Sequence, residues 1–535
     1  MERAAGLFVA TLAAVALTWW WLGRPVEAPA AAADPGRVQC LSYAPFRGSE
    51  TPLDESTRGA AHEIEEDLSR LAHLLTECVR TYSTENGTDQ VPAIAQRVGL
   101  KVIQGLWLGR DRKKNRLRID ETIALAKRYP DVITAIVVGN EVLLRGEMSA
   151  VDIAEVLREV KAATSMPVTY ADVWEFWLRN RDLAQAVDFI TVHILPYWED
   201  FPISAAQAGA HVDAIRARVA ASFPGKDILI GEVGWPSAGR MREGALPSPS
   251  NQALVLQEVM ARARAKNYRV NLIEAFDQPW KRKIEGTVGG YWGLLTSAGR
   301  EPKFAWGAPV SNHPLWGWQM VAGMALAATV FAAAFAGRSK VLADLGTPVL
   351  AGIAVDALAA GIAVPWAAAN AATESLGAGG WARGLALIAV SVAAPVAAAM
   401  TLSRSMAVPA FGRTLGRAAE RPRAALAMAS GAILVAITLL ALQTALGLVF
   451  DPRYRDLTFA PMTAAVIPFA VASVIGAKPG SRLGRAELVS AVTLAGSAVY
   501  IVLNESFENW QALWFAAMLV VLAVTLIRLR DVQST

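Results

Sequence analysis

Eight short β-branched or apolar runs recur between residues 38 and 276, and amphipathic stretches separate them. The runs lie at 38–45, 78–83, 101–108, 134–143, 167–173, 187–196, 227–232 and 270–276. Segments such as 63–75, 118–128, 150–163 and 251–265 carry apolar residues at helical spacing between them. An apolar run of this length that stops at turn residues reads as a buried parallel strand. Strand then helix, repeated, argues for a parallel sheet with helices on its outside. Eight such units between residues 36 and 310 fit a closed (β/α)8 TIM barrel. A doubly wound open sheet is the alternative, but no G-x-G-x-x-G follows the first run, which weakens any dinucleotide reading.

Two of the runs deliver a carboxylate at their C-terminal end. One is Thr134-Ala-Ile-Val-Val-Gly-Asn-Glu141, and the other is Asp227-Ile-Leu-Ile-Gly-Glu232 followed by Val233-Gly234-Trp235-Pro236-Ser237. A charged residue at a buried strand end needs a salt bridge or a chemical role, because burying it unpaired is costly. In a parallel barrel both acids would reach the C-terminal face, where barrel active sites lie. Paired carboxylates suit glycoside cleavage, one protonating the leaving oxygen while the other attacks the anomeric carbon. Aromatic and hydrogen-bonding residues at the same strand ends (Tyr43, Arg80, Tyr82, His193, Tyr197, Trp198, Glu274, Asp277, Gln278, Trp280 and Lys281) fit a sugar cleft, since a pyranose has apolar faces and a polar rim.

Gly139-Asn140-Glu141 and Gly231-Glu232-Val233-Gly234-Trp235-Pro236-Ser237 resemble the acid/base and nucleophile motifs of glycoside hydrolase family 17, over residues 36 to 310. The resemblance implies a (β/α)8 barrel acting on β-1,3-glucans, with Glu141 as acid/base, Glu232 as nucleophile and Asn140 on the sugar 2-hydroxyl. It also implies Tyr82, in Arg80-Thr81-Tyr82, near the catalytic subsite. Tyr43, Tyr197, Trp235, Gln278, Lys281 and Glu274 complete the expected substrate-binding set. Phe276-Asp277-Gln278-Pro279-Trp280-Lys281 resembles a family segment but has Gln278 where a Glu is usual. His193 and Leu195 replace the Asn and Tyr of another segment. Before Tyr291-Trp292-Gly293-Leu294 the usual acid is Gly289, and Glu285 is the candidate to replace it. These departures leave the pair intact and resemble the membrane-bound bacterial branch that synthesises or remodels β-(1,3)/(1,6)-glucan.

The rest of the chain is of another kind. Of its 535 residues 54% are hydrophobic, and the excess is concentrated from residue 316 to 528 in Ala, Val, Leu, Ile and Gly. Seven candidate spans lie there, at 316–336, 346–369, 384–403, 424–450, 457–477, 487–503 and 510–528, each near the ~20 residues that cross a bilayer. Residues 4–22 add another, tipped by Trp19-Trp20-Trp21 and read as an uncleaved anchor, with a signal peptide cleaved near Ala28-Pro29-Ala30 as the alternative. The expected order is an N-terminal anchor at 1–23, an Ala/Pro linker at 24–36, the barrel at 37–310 and an all-helical membrane domain at 315–530. Basic residues (Arg338, Lys340, Arg404, Arg413, Arg417, Arg421, Arg423, Lys478, Arg482, Arg485, Arg528, Arg530) fall on alternate loops. The positive-inside rule then puts the barrel on the opposite side, the periplasmic face of a bacterial inner membrane. Asp356, inside a span, is a candidate functional carboxylate or a buried polar link.

Net charge is +4, without a dense basic and aromatic cluster, which argues against nucleic acid. The two cysteines, Cys40 and Cys78, fall on neighbouring strands outside the cytoplasm, where a disulfide is one alternative and two buried free thiols, the favoured expectation, the other. No metal-ligand spacing or cofactor motif occurs, and neither is expected. The expected partners are a β-glucan chain, the bilayer and a glucan synthase. The leading reading is a retaining β-1,3-glucan glucosyltransferase, with an endo-β-1,3-glucanase and a non-catalytic glucan-binding or export component as alternatives. A nucleotide-sugar polymerase lacks its spaced aspartates and Q-x-x-R-W.

Overall fold

The computed structural model describes residues 2–27, 37–74, 76–336, 345–416, 424–476 and 484–529. The chain divides into two compact units: Val26–Val310, and a helical unit formed by Met1–Pro25 together with Ser311–Thr535. The linker residues 28–36 and the basic residues Arg338, Lys340, Arg417, Arg421, Arg423, Lys478, Arg482 and Arg530 lie outside the described residues.

In the first unit all eight expected strands form. They are β1 (Cys40–Ser42), β2 (Cys78–Arg80), β3 (Lys101–Leu106), β4 (Ile133–Asn140), β5 (Val168–Val173), β6 (Ile190–His193), β7 (Ile228–Val233) and β8 (Arg269–Leu272). They pair in sequence order and close into a barrel, with Cys40 opposite Asn271 joining β1 to β8. Every pairing is parallel, so all eight C-terminal ends share one face. The strands are shorter than the apolar runs, since pairing ends before the runs do; Tyr82, Glu141, Glu274 and Gln278 therefore sit on loops just past strand ends.

The helices start where the sequence supplies caps. Asp111 accepts from the backbone of Lys113 and Lys114 to open Arg112–Arg128, and Ser248 caps Pro249–Lys266 with proline at the first turn. Their apolar faces and the outward faces of the strands make the main core, including Leu68, Leu71, Ile119, Leu157, Val212 and Leu256, all buried. Inside the barrel a smaller cluster of Cys40, Cys78, Ile103, Ala135, Val137, Ala171, Phe189 and Leu229 plugs the end opposite the strand tips.

Cys40 and Cys78 form a disulfide, with Cα atoms 4.4 Å apart, which corrects the expectation of free thiols. Leu41 pairs with Val79, so the two cysteines are one step back in the same register. Both side chains share the inward face with Ser42 and Arg80, and parallel neighbours in register stand close enough to bond.

The helical unit contains seven helices long and apolar enough to cross a membrane among the described residues: Glu2–Leu22, Trp316–Phe335, Thr347–Glu374, Gly377–Ser403, Ala425–Phe450, Arg485–Glu505 and Trp510–Arg528. The remaining expected span is the helix Phe459–Ile475, which at 17 residues stands at the short end of the crossing range. Small residues bring backbones together: a Cβ on Gly323 would lie 2.2 Å from the carbonyl oxygen of Gly361. Trp19 is buried here and its Nε1 donates to that same carbonyl at 3.0 Å. Asp356 is 0% exposed, and neither carboxylate oxygen has a hydrogen-bond partner among the described residues.

Candidate active site

β4 ends in Gly139-Asn140, and the next residue, Glu141, adopts a left-handed φ of 53°. That conformation is uncommon for a glutamate and turns the chain sharply at the barrel rim. The loop behind it is tied down, since the backbone N–H of Leu143 donates to Tyr170 Oη at 2.9 Å and to Asp172 Oδ2 at 3.2 Å. Arg145 reaches back to the Asn140 carbonyl and donates to the Leu108 carbonyl at 2.8 Å. Glu141 keeps 23% of its side chain exposed, so it can exchange protons with what enters the cleft.

Glu232 lies within β7 and is 6% exposed at its side chain. It follows Gly231, where a Cβ would meet Thr191 Cγ2 at 2.3 Å and crowd the His193 ring at 3.3 Å. Its Oε1 accepts from Arg80 Nη1 at 3.0 Å and from the Tyr82 hydroxyl at 2.8 Å. Burial pushes the Glu232 carboxyl up, but His193, Arg80, Lys281 and the Tyr82 hydroxyl bring it net below the ordinary glutamate value. It is thus held as a carboxylate.

His193, fully buried at the end of β6, links the two acids. Its Nδ1 stands 2.8 Å from Glu141 Oε1 and its Nε2 3.7 Å from Glu232 Oε1. Ligand atoms of Glu141, His193 and Glu232 all lie within 4.8 Å of one another. Such a trio has the donor types of a metal site, yet the Arg80 guanidinium 3.0 Å from Glu232 opposes a second cation. Two carboxyl groups this close can flank one glycosidic bond.

Of the residues expected to bind substrate, four meet here. Tyr82 bonds Glu232, and Asn140 Oδ1 accepts from Arg80 Nη2. Lys281 Nζ donates to both oxygens of Glu274, at 2.9 and 2.8 Å. Burial and the nearby Asp277 and Glu232 push the Glu274 carboxyl up to about 7, against the pull of Lys281.

The other four are buried and bonded to groups outside that cluster; for Tyr43 this corrects the expected set. Tyr43 follows inward-facing Ser42 and so points to the helix layer, donating its hydroxyl to Asp67 Oδ2 at 3.1 Å. Tyr197 is 0% exposed and donates to the Arg240 carbonyl at 2.9 Å. Trp235, also 0% exposed, donates from Nε1 to the Leu246 carbonyl at 3.1 Å. Gln278 is bound to the Ala44 carbonyl at 3.2 Å and accepts from Trp280 Nε1 at 2.8 Å.

Arg80 and His193 were legible only as polar residues at strand tips, and their places beside the pair emerge from the register. A buried arginine at the end of an apolar run is the signal that marks Arg80, because such a charge needs a carboxylate partner. Asp172 and Tyr170, which hold the Glu141 loop, gave no signal beyond a lone acid in a strand.

Residues 40–293 match the BtgE/BtgC glycoside hydrolase domain. The chain is 29% identical over 244 residues to the "Probable beta-glucosidase btgE" of Neosartorya fischeri, covering 43% of this chain and 42% of that protein. It is 29% identical over 263 residues to a "Glucan 1,3-beta-glucosidase" of Arthroderma benhamiae, covering 45% of this chain and 83% of the relative. Among solved structures it is similar to the glycoside hydrolase family 17 beta-1,3-glucanosyltransferase of Rhizomucor miehei, at 24% identity and a TM-score of 0.43, over 50% of this chain and 95% of that one.

Proposed function

We propose that the barrel is a retaining β-1,3-glucan glucosyltransferase that works at the outer face of a bacterial inner membrane in β-(1,3)/(1,6)-glucan synthesis or remodelling. The observation that carries the chemistry is the approach of Glu141 and Glu232 within 4.8 Å across the barrel mouth, from the C-terminal ends of β4 and β7. In the first step Glu232 attacks the anomeric carbon while Glu141 gives its proton to the departing glycosidic oxygen. Arg80 and Tyr82 keep Glu232 ionised and aimed, and His193 orients Glu141 through Nδ1. In the second step Glu141, now a carboxylate, takes the proton of an acceptor hydroxyl, whose oxygen attacks the anomeric carbon and frees Glu232. Asn140 is fixed by its bond to Arg80, which aims its amide at the 2-hydroxyl of the sugar held between the acids. The names of the relatives support β-1,3-glucan as the substrate.

The side of the membrane follows from loop charge and is supported by the Cys40–Cys78 bond, since disulfides persist in oxidising compartments. A domain joined to membrane helices meets exported glucan at high effective concentration, which favours a sugar acceptor over water. Those helices anchor the barrel and offer a docking place for a glucan synthase. The hydrolase reading differs only in the second step. Incubating the protein with laminari-oligosaccharides and resolving the products by mass and linkage decides between them. Transfer gives products longer than the input, some carrying β-1,6 linkages; a product set with nothing longer than the input means an endo-β-1,3-glucanase.

A further inference from the structure

The helical unit holds a polar pocket that the barrel chemistry does not use. It lies where the helices Thr347–Glu374 and Gly377–Ser403 meet the start of Phe459–Ile475, and Asn370, Glu374, Arg383, Thr458 and Pro461 are among the residues that line it. Its volume is about 40 Å³, room for about three waters or one phosphate-sized group, and well short of the ~150 Å³ in which a six-membered ring fits. Arg383 is half-buried there and held by a neighbouring helix: its Nε donates to Gln443 Oε1 and its Nη2 to Thr444 Oγ1, each at 3.0 Å. Both acceptors are neutral, and neither bond uses Nη1. Arg383 forms no salt bridge among the described residues, although Glu374 lines the same pocket.

Thr458 is 1% exposed and stands just before the first turn of Phe459–Ile475, yet its hydroxyl neither caps that helix nor finds any partner among the described residues. A buried hydroxyl without a partner is costly, so a ligand that accepts from it supplies what the chain leaves out. The same helix brings the positive end of its dipole to the pocket. A fixed cation, an unpartnered hydroxyl and a helix N-terminus together suit a phosphate group. The surroundings set its depth. Phe459, next to Thr458, packs edge-on against Trp366 at 5.4 Å and Trp510 at 5.2 Å, and His313, just before Trp316–Phe335, packs on Trp366 at 5.1 Å. Trp381, two residues before Arg383, is 45% exposed. Tryptophans gathered at one end of apolar helices mark the level of lipid headgroups.

We propose that this pocket binds the phosphoethanolamine headgroup of a membrane lipid. The phosphate accepts from Arg383 Nη1 and from the Thr458 hydroxyl, and the ammonium donates to Glu374. The proposal goes beyond the glucan chemistry and rests on the reading of these helices as membrane spans. Glu374 on the pocket wall repels a headgroup whose only charge is negative, which ranks phosphoethanolamine above phosphoglycerol. A trimethylammonium has no N–H to donate to that carboxylate, which ranks it above phosphocholine. A lipid held here joins the ends of three helices and stabilises the unit in proportion to its occupancy.

The test strips the full-length protein of lipid in detergent and reads binding by native mass spectrometry with added phosphatidylethanolamine, phosphatidylglycerol, phosphatidylcholine, free phosphoethanolamine or laminaritriose. Wild type takes up one phosphatidylethanolamine ahead of the other two lipids, and its Tm rises with that lipid. Arg383→Gln weakens this binding on the order of 10- to 100-fold, the size of one hydrogen bond to a charged group, and Thr458→Val by about 2- to 10-fold. Glu374→Gln cancels the preference over phosphatidylglycerol. Free phosphoethanolamine competes weakly for want of acyl chains; equal competition would assign the pocket to a soluble phosphate and overturn the lipid. A wild-type preference for phosphatidylglycerol, displacement of the lipid by laminaritriose, or unchanged binding in Arg383→Gln would each overturn the proposal. The wild-type order of lipids keeps it open to refutation even where Arg383→Gln fails to fold. Protein washed from membranes by alkaline carbonate would refute the membrane reading on which it rests, a separate outcome.

Discussion

Replacing Arg80 with lysine isolates what the guanidinium does for Glu232. Arg80 is 0% exposed, and its terminal nitrogens bond Glu232 Oε1 at 3.0 Å, the Gly231 carbonyl at 2.9 Å and Asn140 Oδ1. An ammonium keeps the charge but is a single point, unable to span those acceptors as a planar fork does. The variant loses a charge-assisted hydrogen bond of about 1.5–3 kcal/mol. At about 1.36 kcal/mol per pH unit, that raises the Glu232 carboxyl by about 1–2 units. Burial already pushes this group up, and His193, Arg80, Lys281 and Tyr82 hold it net below its ordinary value, so weakening one of them moves it upward. Only the ionised carboxylate attacks. The acid limb of kcat/KM on laminari-oligosaccharides therefore shifts to higher pH by the same 1–2 units. A depressed carboxylate also contributes stability above its unfolded pKa that is lost as pH falls through its folded pKa. The variant's deficit in Tm is thus present at neutral pH and fades toward acid. An acid limb that stays in place or moves to lower pH, with the fold intact by circular dichroism, would refute this account of Glu232.

Tyr82→Phe removes the 2.8 Å bond to Glu232 and should cost about 10- to 100-fold in kcat/KM, again moving the acid limb upward; an unchanged profile would place Tyr82 outside the site. Cys40→Ser opens a cross-link spanning 38 residues, for which chain entropy predicts a loss of about 4 kcal/mol, read as a lowered denaturation midpoint that matches reduced wild type. Equal midpoints for oxidised and reduced protein would exclude the bond. A reporter active only outside the cytoplasm should work when fused after Pro309 and fail after Arg417, and the reverse pattern would invert the topology.

The barrel was legible because each strand is a short apolar run closed by turn residues, and several of the helices between them begin at Asp, Ser or Pro. The acids were legible because Glu141 and Glu232 each interrupt an apolar strand where a charge needs a partner. The disulfide was only half legible: the sequence puts Cys40 and Cys78 on neighbouring strands, but the register that sets Leu41 opposite Val79, and so the cysteines side by side, comes from the fold. Tyr43 was misread for a related reason. Position at a strand tip gives the height of a side chain along the barrel, while a step of one residue decides whether it points inward or into the helix layer. Ser42 and Tyr43 show this directly, one lying 2.9 Å from the Tyr82 hydroxyl at the site and the other bonded to Asp67 in the layer behind. Glu285 was read from the sequence as the candidate to replace the acid missing at Gly289; the contact between the two belongs to the turn that folds one onto the other.

Covalent trapping tests the central claim most directly. A 2-deoxy-2-fluoroglucoside with a good leaving group forms the glycosyl-enzyme and slows its breakdown, and peptide mass spectrometry then locates the sugar. The account predicts one added fluoroglucosyl unit, on Glu232, absent from Glu232→Gln. Turnover without any adduct, or an adduct on another residue, would contradict the assignment of Glu232 as the nucleophile of a retaining enzyme.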